Sequence, residues 1–428
     1  MGTYNNMNKQ RRKWIHDAGV MIAAMAPGHS ASGTALVPLS VSASEPKLAL
    51  PSATTTNENP AQNAQLSRSS GDYAAVLPTT SLRFPRDYGS HPDFRTEWWY
   101  VSGWLDLPAN KVDAKPTEKQ TPDPEAIGFQ ITFFRTRSAL RSNNPSQFTP
   151  RQLMFAHIAL AQPISRTLIH DQQSARTGFG LAQASETDTH VTMKNWQLIR
   201  SENDVYAARC ATTIINNKTG FSLNVTLTPN GPPQLQGEAG FSRKGPKLAQ
   251  ASHYYSRPQL AVKGDLTLKG KTRTVTGRAW LDHEWSSTLL DPQAIGWDWI
   301  GINLNDGGSL LAFRLRNASG SNVWTHVAWR DAQGQFVFKT NQANGAKFTG
   351  LRDWQSIASG AQYPVKQKLQ FDNQTFEIDP LFDEQEIDGR LSTGAFYWEG
   401  AVYLRNQSQK IIGRGYLEMT GYASPIRF

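Results

Sequence analysis

Apolar and polar residues alternate along most of the chain after residue 80. In the segment FSLNVTLT, residues 221–228, every second residue is apolar and the residues between them are polar. A period of two is typical of a β-strand that buries one face and exposes the other. The alternation returns in residues 259–282, whereas long segments with the 3.6-residue period of a helix are scarce. The pattern predicts an all-β protein with many antiparallel strands.

Turn-forming dipeptides separate several of the predicted strands. They are Asn230-Gly231, Asp306-Gly307, Asn344-Gly345 and Asp388-Gly389. Asn-Gly and Asp-Gly favour tight hairpin turns because these residues tolerate positive φ. We therefore expect hairpins at these four places.

Four pairs of similar segments occur in the same order along the two halves of the chain. They are Glu97-Trp98 and Glu284-Trp285, FAHIAL (155–160) and WTHVAW (324–329), KNWQ (194–197) and RDWQ (352–355), and GRAWLD (277–282) and GRGYLE (413–418). An internal duplication with shorter loops in the second copy explains the common order and the shrinking spacing. A closed barrel of about eight strands removes the sheet edges and can hold one small ligand. We therefore predict two tandem lipocalin-like antiparallel β-barrels.

The 428 residues are enough for two such domains. We expect an N-terminal barrel over residues 81–282 and a C-terminal barrel over residues 283–428. In this division GRAWLD is the last strand of the first barrel and His283 begins the second barrel. Asp282 then lies at a domain junction, where binding clefts commonly form.

The first 80 residues have the features of a targeting signal and a linker rather than those of a folded domain. A basic stretch with the pair Arg11-Arg12 precedes a weakly apolar segment, and the small residues of Val41-Ser42-Ala43 suit a signal peptidase. Residues 1–43 therefore predict a twin-arginine-like export signal, with general secretion as the alternative route. Residues 44–80 are rich in Ser, Thr, Asn, Ala and Pro and predict a flexible linker. The mature protein is expected in the periplasm or outside the cell.

Composition excludes several classes of function. The net charge is +9, and no block of Lys and Arg indicates a nucleic-acid interface, although a peripheral contact with an anionic membrane stays open. Cys210 is the single cysteine, so we expect a buried small side chain and no internal disulfide. The histidines lack the spacing of a zinc site, so no metal is predicted. Arg243 and Lys244 are expected in a solvated turn.

Several strings resemble those of the AttH-like family, which is related to the carotenoid 1,2-hydratases (hydroxyneurosporene synthases). They are FPRDYGSHPDFRTEWWYVSGWL (84–105), GFQITFFR (128–135), HYYS (253–256), AWLDHEWSS (279–287), GWDW (296–299), YWEG (397–400) and GRGYLEMTGY (413–422). The resemblance covers residues 82–428 and implies a tandem lipocalin-like fold. Some family members are named predicted secreted hydrolases.

The resemblance also implies a catalytic acid. The related hydratases carry an aromatic-x-Asp-His-Asn pattern whose Asp is the proton donor to a C=C bond. This pattern falls on residues 280–284, where Asp282 and His283 match. Glu284 stands in place of Asn and Trp280 in place of Tyr. These departures weaken the case for a carotenoid substrate and leave acid chemistry at Asp282 open.

The residues themselves are compatible with this chemistry. In an extended strand Asp282 and Glu284 project to one face, roughly 7 Å apart, and His283 and Trp285 project to the other. Two buried carboxylates can take different pKa values, so that one donates a proton while the other stays ionised. Asp282 is the predicted acid, Glu284 the second carboxylate, and His283 an orienting or relaying group.

A lipophilic small molecule is the expected partner, and no organic cofactor is required. Aromatic faces can stabilise the cation that protonation of an alkene leaves. The candidate ligand-binding residues are Trp280, Trp285, Trp297, Trp299, Glu97, Trp98, Tyr255 and His157. No obligate protein partner is evident from the sequence.

Four alternatives stay open at this point. The same carboxylates could serve a hydrolase or, less readily, a glycosidase. The protein could instead carry a lipophile without changing it, in association with an envelope ABC transporter. A purely structural role is the fourth alternative, in which Asp282 and Glu418 pair with Arg278 and Arg414. An ion pair between Arg278 and Asp282 would favour the non-catalytic interpretations. His157 and His326 fit satisfied core histidines.

Overall fold

The computed structural model describes residues 73–108, 125–138, 149–213 and 220–426. Within these ranges the chain forms β-strands and one short 3-10 helix, Arg86–Tyr88. None of the described helical segments is long and apolar enough to cross a membrane. The predicted export signal, residues 1–43, lies outside the described residues.

Two antiparallel sheets account for the strands. The first sheet contains β1 (Thr96–Asp106), β2 (Ile127–Arg137), β3 (Gln152–Gln162), β4 (Thr167–Arg176), β5 (Ala182–Ala184), β6 (His190–Met193), β7 (Trp196–Arg200), β8 (Tyr206–Ala211), β9 (Phe221–Thr228), β10 (Gln234–Leu235), β11 (Phe241–Arg243), β12 (Ala251–Leu268) and β13 (Lys271–Thr288). The second sheet contains β14 (Gly296–Leu304), β15 (Ser309–Arg316), β16 (Asn322–Arg330), β17 (Phe336–Gln342), β18 (Lys347–Gln355), β19 (Gln362–Phe371), β20 (Gln374–Pro380), β21 (Glu386–Asp388), β22 (Phe396–Arg405) and β23 (Ile411–Met419).

The two sheets repeat one strand order. The first runs β4-β3-β2-β1-β13-β12-β9-β8-β7-β6-β5, and the second runs β17-β16-β15-β14-β23-β22-β20-β19-β18. Strand β14 therefore takes the place of β1, β23 that of β13, and β22 that of β12. Each sheet curves around its own apolar core. This confirms the predicted fold class of two tandem lipocalin-like β-barrels.

The predicted repeat is correct in two of its segments and wrong in a third. FAHIAL and WTHVAW lie in β3 and β16, and GRAWLD and GRGYLE lie in β13 and β23, which are equivalent strands. By contrast, Glu97-Trp98 and Glu284-Trp285 lie in β1 and β13, which pair directly, with Trp98 opposite Glu284. These two Glu-Trp dipeptides are therefore neighbours in one sheet and not equivalent positions in two copies of a domain.

The change from one sheet to the other falls later than residue 283. Strand β13 continues to Thr288, because the residues after Asp282 pair with β1 on one side and β12 on the other. The linker predicted to end at residue 80 is also too long. The Ala74 backbone bonds to Asp93, and Val76 packs against Phe241.

Two of the four predicted hairpin turns join strands that do pair. Asp306-Gly307 connects β14 with β15, and Asp388-Gly389 lies between β21 and β22. Asn230-Gly231 and Asn344-Gly345 instead precede strands that pair elsewhere in their sheets. The dipeptides therefore mark turns correctly but do not determine which strands pair.

A third apolar cluster fills the space between the two sheets, which we call the junction. It includes Tyr100, Trp104, Trp280, Trp299 and Tyr416. Neighbouring residues of the same strands, such as Trp99, point instead into the barrel cores. The central strands of both barrels are therefore buried on both faces, and any polar side chain directed to the junction is withdrawn from water.

Polar contacts fix the two barrels against each other. The indole nitrogen of Trp104 donates to the Gly415 carbonyl at 3.0 Å, and Arg414 forms an ion pair with Asp106 at 2.8 Å. At a β-bulge in β12, Gln259 adopts φ +59°. Its buried side chain donates to the carbonyls of Leu304 and Gly308, at 2.9 and 2.7 Å.

We predict that Gln259→Ala weakens the docking of the barrels. The variant loses two buried hydrogen bonds, so the free energy of unfolding should fall by about 1–3 kcal/mol. Chemical denaturation followed by tryptophan fluorescence measures the change. Gln183→Ala, at an exposed strand position, is the matched control, and equal losses in the two variants would contradict the role given to Gln259.

Candidate functional site

Strand β13 divides the GRAWLDHEW residues between two environments. Trp280 belongs to the junction cluster, whereas Leu281 and Trp285 belong to the core of the first barrel. Asp282 and Glu284 share the junction face because side chains alternate along a strand. His283 faces the barrel core. The residues predicted as one catalytic group therefore lie on opposite sides of the strand.

Asp282 is buried among neutral hydrogen-bond donors. Its Oδ1 accepts from Ser256 at 2.5 Å and from the indole of Trp280 at 2.7 Å, and its Oδ2 accepts from Tyr254 at 2.6 Å. Among the ion pairs of the described residues, none joins Arg278 to Asp282. Burial raises the pKa of Asp282 to about 7, although the three donors oppose the rise. The carboxyl is thus poised to exchange a proton near neutrality.

Glu284, by contrast, has a cation as its partner. Lys244 Nζ lies 2.9 Å from its carboxylate, and Ser252 donates a second hydrogen bond. The ammonium also lies over the rings of Tyr254 and of Phe313 in the second barrel, 4.7 and 4.1 Å from their centroids. Lys244 is 5% exposed, so the prediction of a solvated turn was wrong. Burial lowers the pKa of Lys244, and Glu284 opposes this effect.

The second barrel adds two more carboxyl groups. Glu399 and Glu418 face each other across β22 and β23, and Tyr100 of the first barrel donates to Glu399. Burial raises the pKa of Glu399 well above its ordinary value and that of Glu418 to about 7, with repulsion from neighbouring carboxylates adding to both. Since Arg414 binds Asp106, the structural pairing considered for Glu418 is not the one observed.

Aromatic side chains connect the two barrels around these acids. The Trp299 indole donates to the Tyr254 hydroxyl at 3.1 Å, and Tyr254 in turn donates to Asp282. Trp299 also packs edge-on against Trp280 and Tyr100, with ring centroids 6.2 and 5.3 Å apart. The half-buried Trp98 and Trp297 pack against the same cluster. Four of the predicted tryptophans thus surround the junction.

The other predicted residues form a separate network inside the first barrel. Glu97 Oε1 lies 2.9 Å from His283 Nε2 and 2.8 Å from His91 Nδ1, and Glu97 Oε2 accepts from Arg135 at 2.7 Å. Tyr255 binds the second nitrogen of His283 at 3.1 Å. Trp285 stacks on His91 at 3.7 Å. This network lies across β13 from Asp282.

Three donor atoms of this network are close enough for a metal site. Those of His91, Glu97 and His283 lie within 4.8 Å of one another. The donor set fits a metal poorly, because each of these atoms already has a hydrogen-bond partner and the Arg135 guanidinium lies beside them. Charge neutralisation by Arg135 explains the burial of Glu97 better than metal binding does.

His157 lies at the contact between the barrels with both ring nitrogens satisfied. Ser392 is 2.5 Å from Nε2, and Tyr397 binds Nδ1. Burial lowers the pKa of His157 to about 3, so the ring is neutral at neutral pH. Its place in the structure is that of a satisfied buried histidine.

Sequence reasoning missed two features of the junction. Lys244 lies in a short turn after β11, and the local sequence gives no indication that it is buried. For Glu399 the only indication in the sequence is that it belongs to the YWEG string. The duplication offered a usable signal for Glu418, because it occupies the position of Asp282 in the second copy.

The fold and the site together define a class: a tandem lipocalin-like β-barrel protein with buried acids between its barrels. Comparison with family models matches residues 75–422 to the family described as AttH-like. The chain belongs to the AttH-like family. None of the curated proteins searched matches it.

Two solved structures show the same architecture. An AttH protein from Nitrosomonas europaea is 43% identical, with a TM-score of 0.71, over 82% of this chain and 99% of that chain. Kievitone hydratase from Nectria haematococca is 13% identical, with a TM-score of 0.57, over 82% of this chain and 96% of that chain. The second likeness shows the fold alone.

We predict that Glu97→Gln strongly destabilises the first barrel. The change leaves the buried Arg135 without its counter-ion, so the free energy of unfolding at pH 7 should fall by about 3–5 kcal/mol. Despite its burial, Glu97 has a pKa well below 4.5 because Arg135 and His91 favour the anion. Its contribution is therefore complete above about pH 4.5 and disappears as the pH falls below that value.

Denaturation of both forms at pH 7 and pH 4 measures this effect. The difference between wild type and Glu97→Gln should shrink at the lower pH. Glu238→Gln, whose carboxylate is 72% exposed beside Lys339, is the control and should change stability little. A Glu97→Gln protein as stable as this control would show that the network does not hold the barrel together.

Proposed function

We propose that this protein is an acid-catalysed hydratase that acts on a lipophilic molecule of isoprenoid or lipid type. The observation that carries the proposal is the state of Asp282: it is buried in an aromatic junction, bound only by neutral donors, and has a pKa of about 7. A group with this pKa can donate a proton at neutral pH and recover it afterwards.

The reaction begins with proton transfer from Asp282. Its O–H bond breaks, and the π electrons of the substrate C=C bond form a new C–H bond at one carbon. The other carbon becomes a carbocation, which the faces of Trp280 and Trp299 and the nearby carboxylates stabilise.

A water molecule completes the reaction. Its oxygen forms a C–O bond with the cation and releases a proton to a neighbouring carboxylate. Glu418, with a pKa of about 7, suits this step better than Glu284, because Lys244 holds Glu284 as an ion pair. Return of the proton to Asp282 restores the site, and the net change is addition of water across the double bond.

The substrate must displace side chains to reach Asp282. The junction is tightly packed: a Cβ atom at Gly301 would lie 2.4 Å from Trp299 and 3.1 Å from Trp280. A cavity of about 360 Å³ lies elsewhere, at the end of the first barrel beside Leu107 and Leu266. In the proposed mechanism Trp299 moves to admit the substrate. The bound substrate and the packed side chains around it then exclude bulk water from the cation.

Hydration is also the reaction named for one protein of the same fold, although the fold by itself does not determine the reaction. Kievitone hydratase shares the architecture, and the absence of an ion pair between Asp282 and Arg278 among the described contacts favours the catalytic interpretation. We place the reaction outside the cytoplasm on the basis of the signal-like residues 1–43. The alternative is a periplasmic carrier that binds a lipophile unchanged, at the membrane or with an envelope ABC transporter.

We predict that Asp282→Asn traps the substrate. The amide keeps the shape of the side chain and cannot donate a proton of suitable acidity. Native mass spectrometry of wild type and variant, each purified from its own envelope, should show a lipophile on the variant. Wild type should carry none, or the same molecule heavier by one water.

Asp265→Asn, an exposed change on β12, is the control and should behave as wild type. If wild type and Asp282→Asn carry the same unmodified lipophile, the hydratase proposal fails and the carrier alternative is supported.

A further inference from the structure

His326 is buried at the junction without hydrogen-bond partners of good geometry. Its side chain has no exposed surface, and both ring nitrogens are unpaired. The backbone of Thr340 lies nearby and can satisfy at most one nitrogen. At least one nitrogen therefore remains for another partner, which is unusual because buried polar groups are normally hydrogen-bonded.

The duplication supplies a reference for this residue. His157 occupies the equivalent position in β3 of the first barrel, and both of its nitrogens are bonded, to Tyr397 and Ser392. The same residue type on the same strand is thus satisfied by protein groups in one copy and not in the other. A purely structural role explains why a histidine is buried at His157. It does not explain why a polar ring, rather than an apolar one, is buried at His326.

His326 faces the junction between the barrels. Trp324 and Ala328, two residues away on either side in β16, belong to the junction cluster. The imidazole stacks on Phe313 with a centroid distance of 5.2 Å, and Lys244 lies over the same Phe313 ring. Lys244 also binds Glu284. Phe313 and Lys244 therefore connect the imidazole of His326 to Glu284.

The protonation state of the His326 imidazole limits the chemical groups that it can bind. Burial lowers the pKa of His326 to about 3, with nearby Lys244, Lys339 and Arg330 adding to the effect. At neutral pH the ring is uncharged, with one N–H donor and one acceptor nitrogen. A neutral imidazole offers no positive charge to an anion, whereas one hydroxyl group can both accept from its N–H and donate to its free nitrogen. A neutral oxygen is the complementary group.

We propose that His326 binds a hydroxyl or carbonyl oxygen of the substrate, so that the substrate class is an oxygenated lipophile rather than a pure hydrocarbon. The N–H donates to either kind of oxygen, and the other nitrogen accepts from a hydroxyl. This inference rests on the proposed function for the location of the substrate. The inference adds to that function the class of substrate that the junction selects.

The test compares two probes that differ in one oxygen. Farnesol and the hydrocarbon of the same skeleton, with CH3 in place of CH2OH, are titrated into the protein and followed by quenching of tryptophan fluorescence. Wild type should bind farnesol about tenfold more tightly, as expected for one buried hydrogen bond. His326→Phe, which keeps an aromatic ring, should bind both probes equally.

Two further variants make the result specific. His326→Gln restores a donor and an acceptor and should recover part of the preference for farnesol. Asp282→Asn should keep the preference in full, because recognition and proton transfer reside in different residues. The inference is overturned if wild type binds neither probe, or if His326→Phe keeps the tenfold preference. In the latter case hydration by Asp282 can still hold, since the mass measurement tests it separately.

Discussion

Back-to-back packing of the two sheets is the constraint on which the site depends. Where β1, β13, β14 and β23 pack between a barrel core and the opposite barrel, most side chains on both faces of these strands are withdrawn from water. Apolar residues gain from this burial. Ionisable residues in the same positions must find a partner, lose their charge, or exchange protons with a ligand. The junction contains the first two cases, and the third is the role that we propose for Asp282.

The two faces of the first sheet near β13 surround their carboxylates with different partners. On the inner face, Glu97 of the neighbouring strand β1 is paired with Arg135 and His91, and its pKa is lowered. On the outer face, Asp282 has hydroxyl and indole donors only, and its pKa is raised. Lys244 forms an ion pair with Glu284, whereas its interaction with Asp282 acts at longer range. The sheet thus separates an inner carboxylate that is paired with Arg135 from an outer one that has only neutral hydrogen-bond donors.

Local pattern predicted much of this arrangement. The period of two gave the strand at residues 221–228 and the opposite directions of Asp282 and His283. The repeat of GRAWLD as GRGYLE placed Asp282 and Glu418 in equivalent strands. Lys244 and His326 could not be assigned from sequence, because their surroundings come from segments distant in the chain. The boundary at residue 283 was wrong for a related reason: strand pairing, not local composition, carries β13 to Thr288.

The central claim is that Asp282 is a protonated carboxylic acid near neutral pH. Infrared difference spectroscopy reports this directly, because a protonated carboxyl group has a C=O stretching band that a carboxylate lacks. Titration of wild type should show a band that disappears as the pH rises through about 7, and this component should be missing in Asp282→Asn and present in Glu418→Gln. Identical titrations of wild type and Asp282→Asn would contradict the account, because they would mean that Asp282 does not exchange a proton near neutral pH.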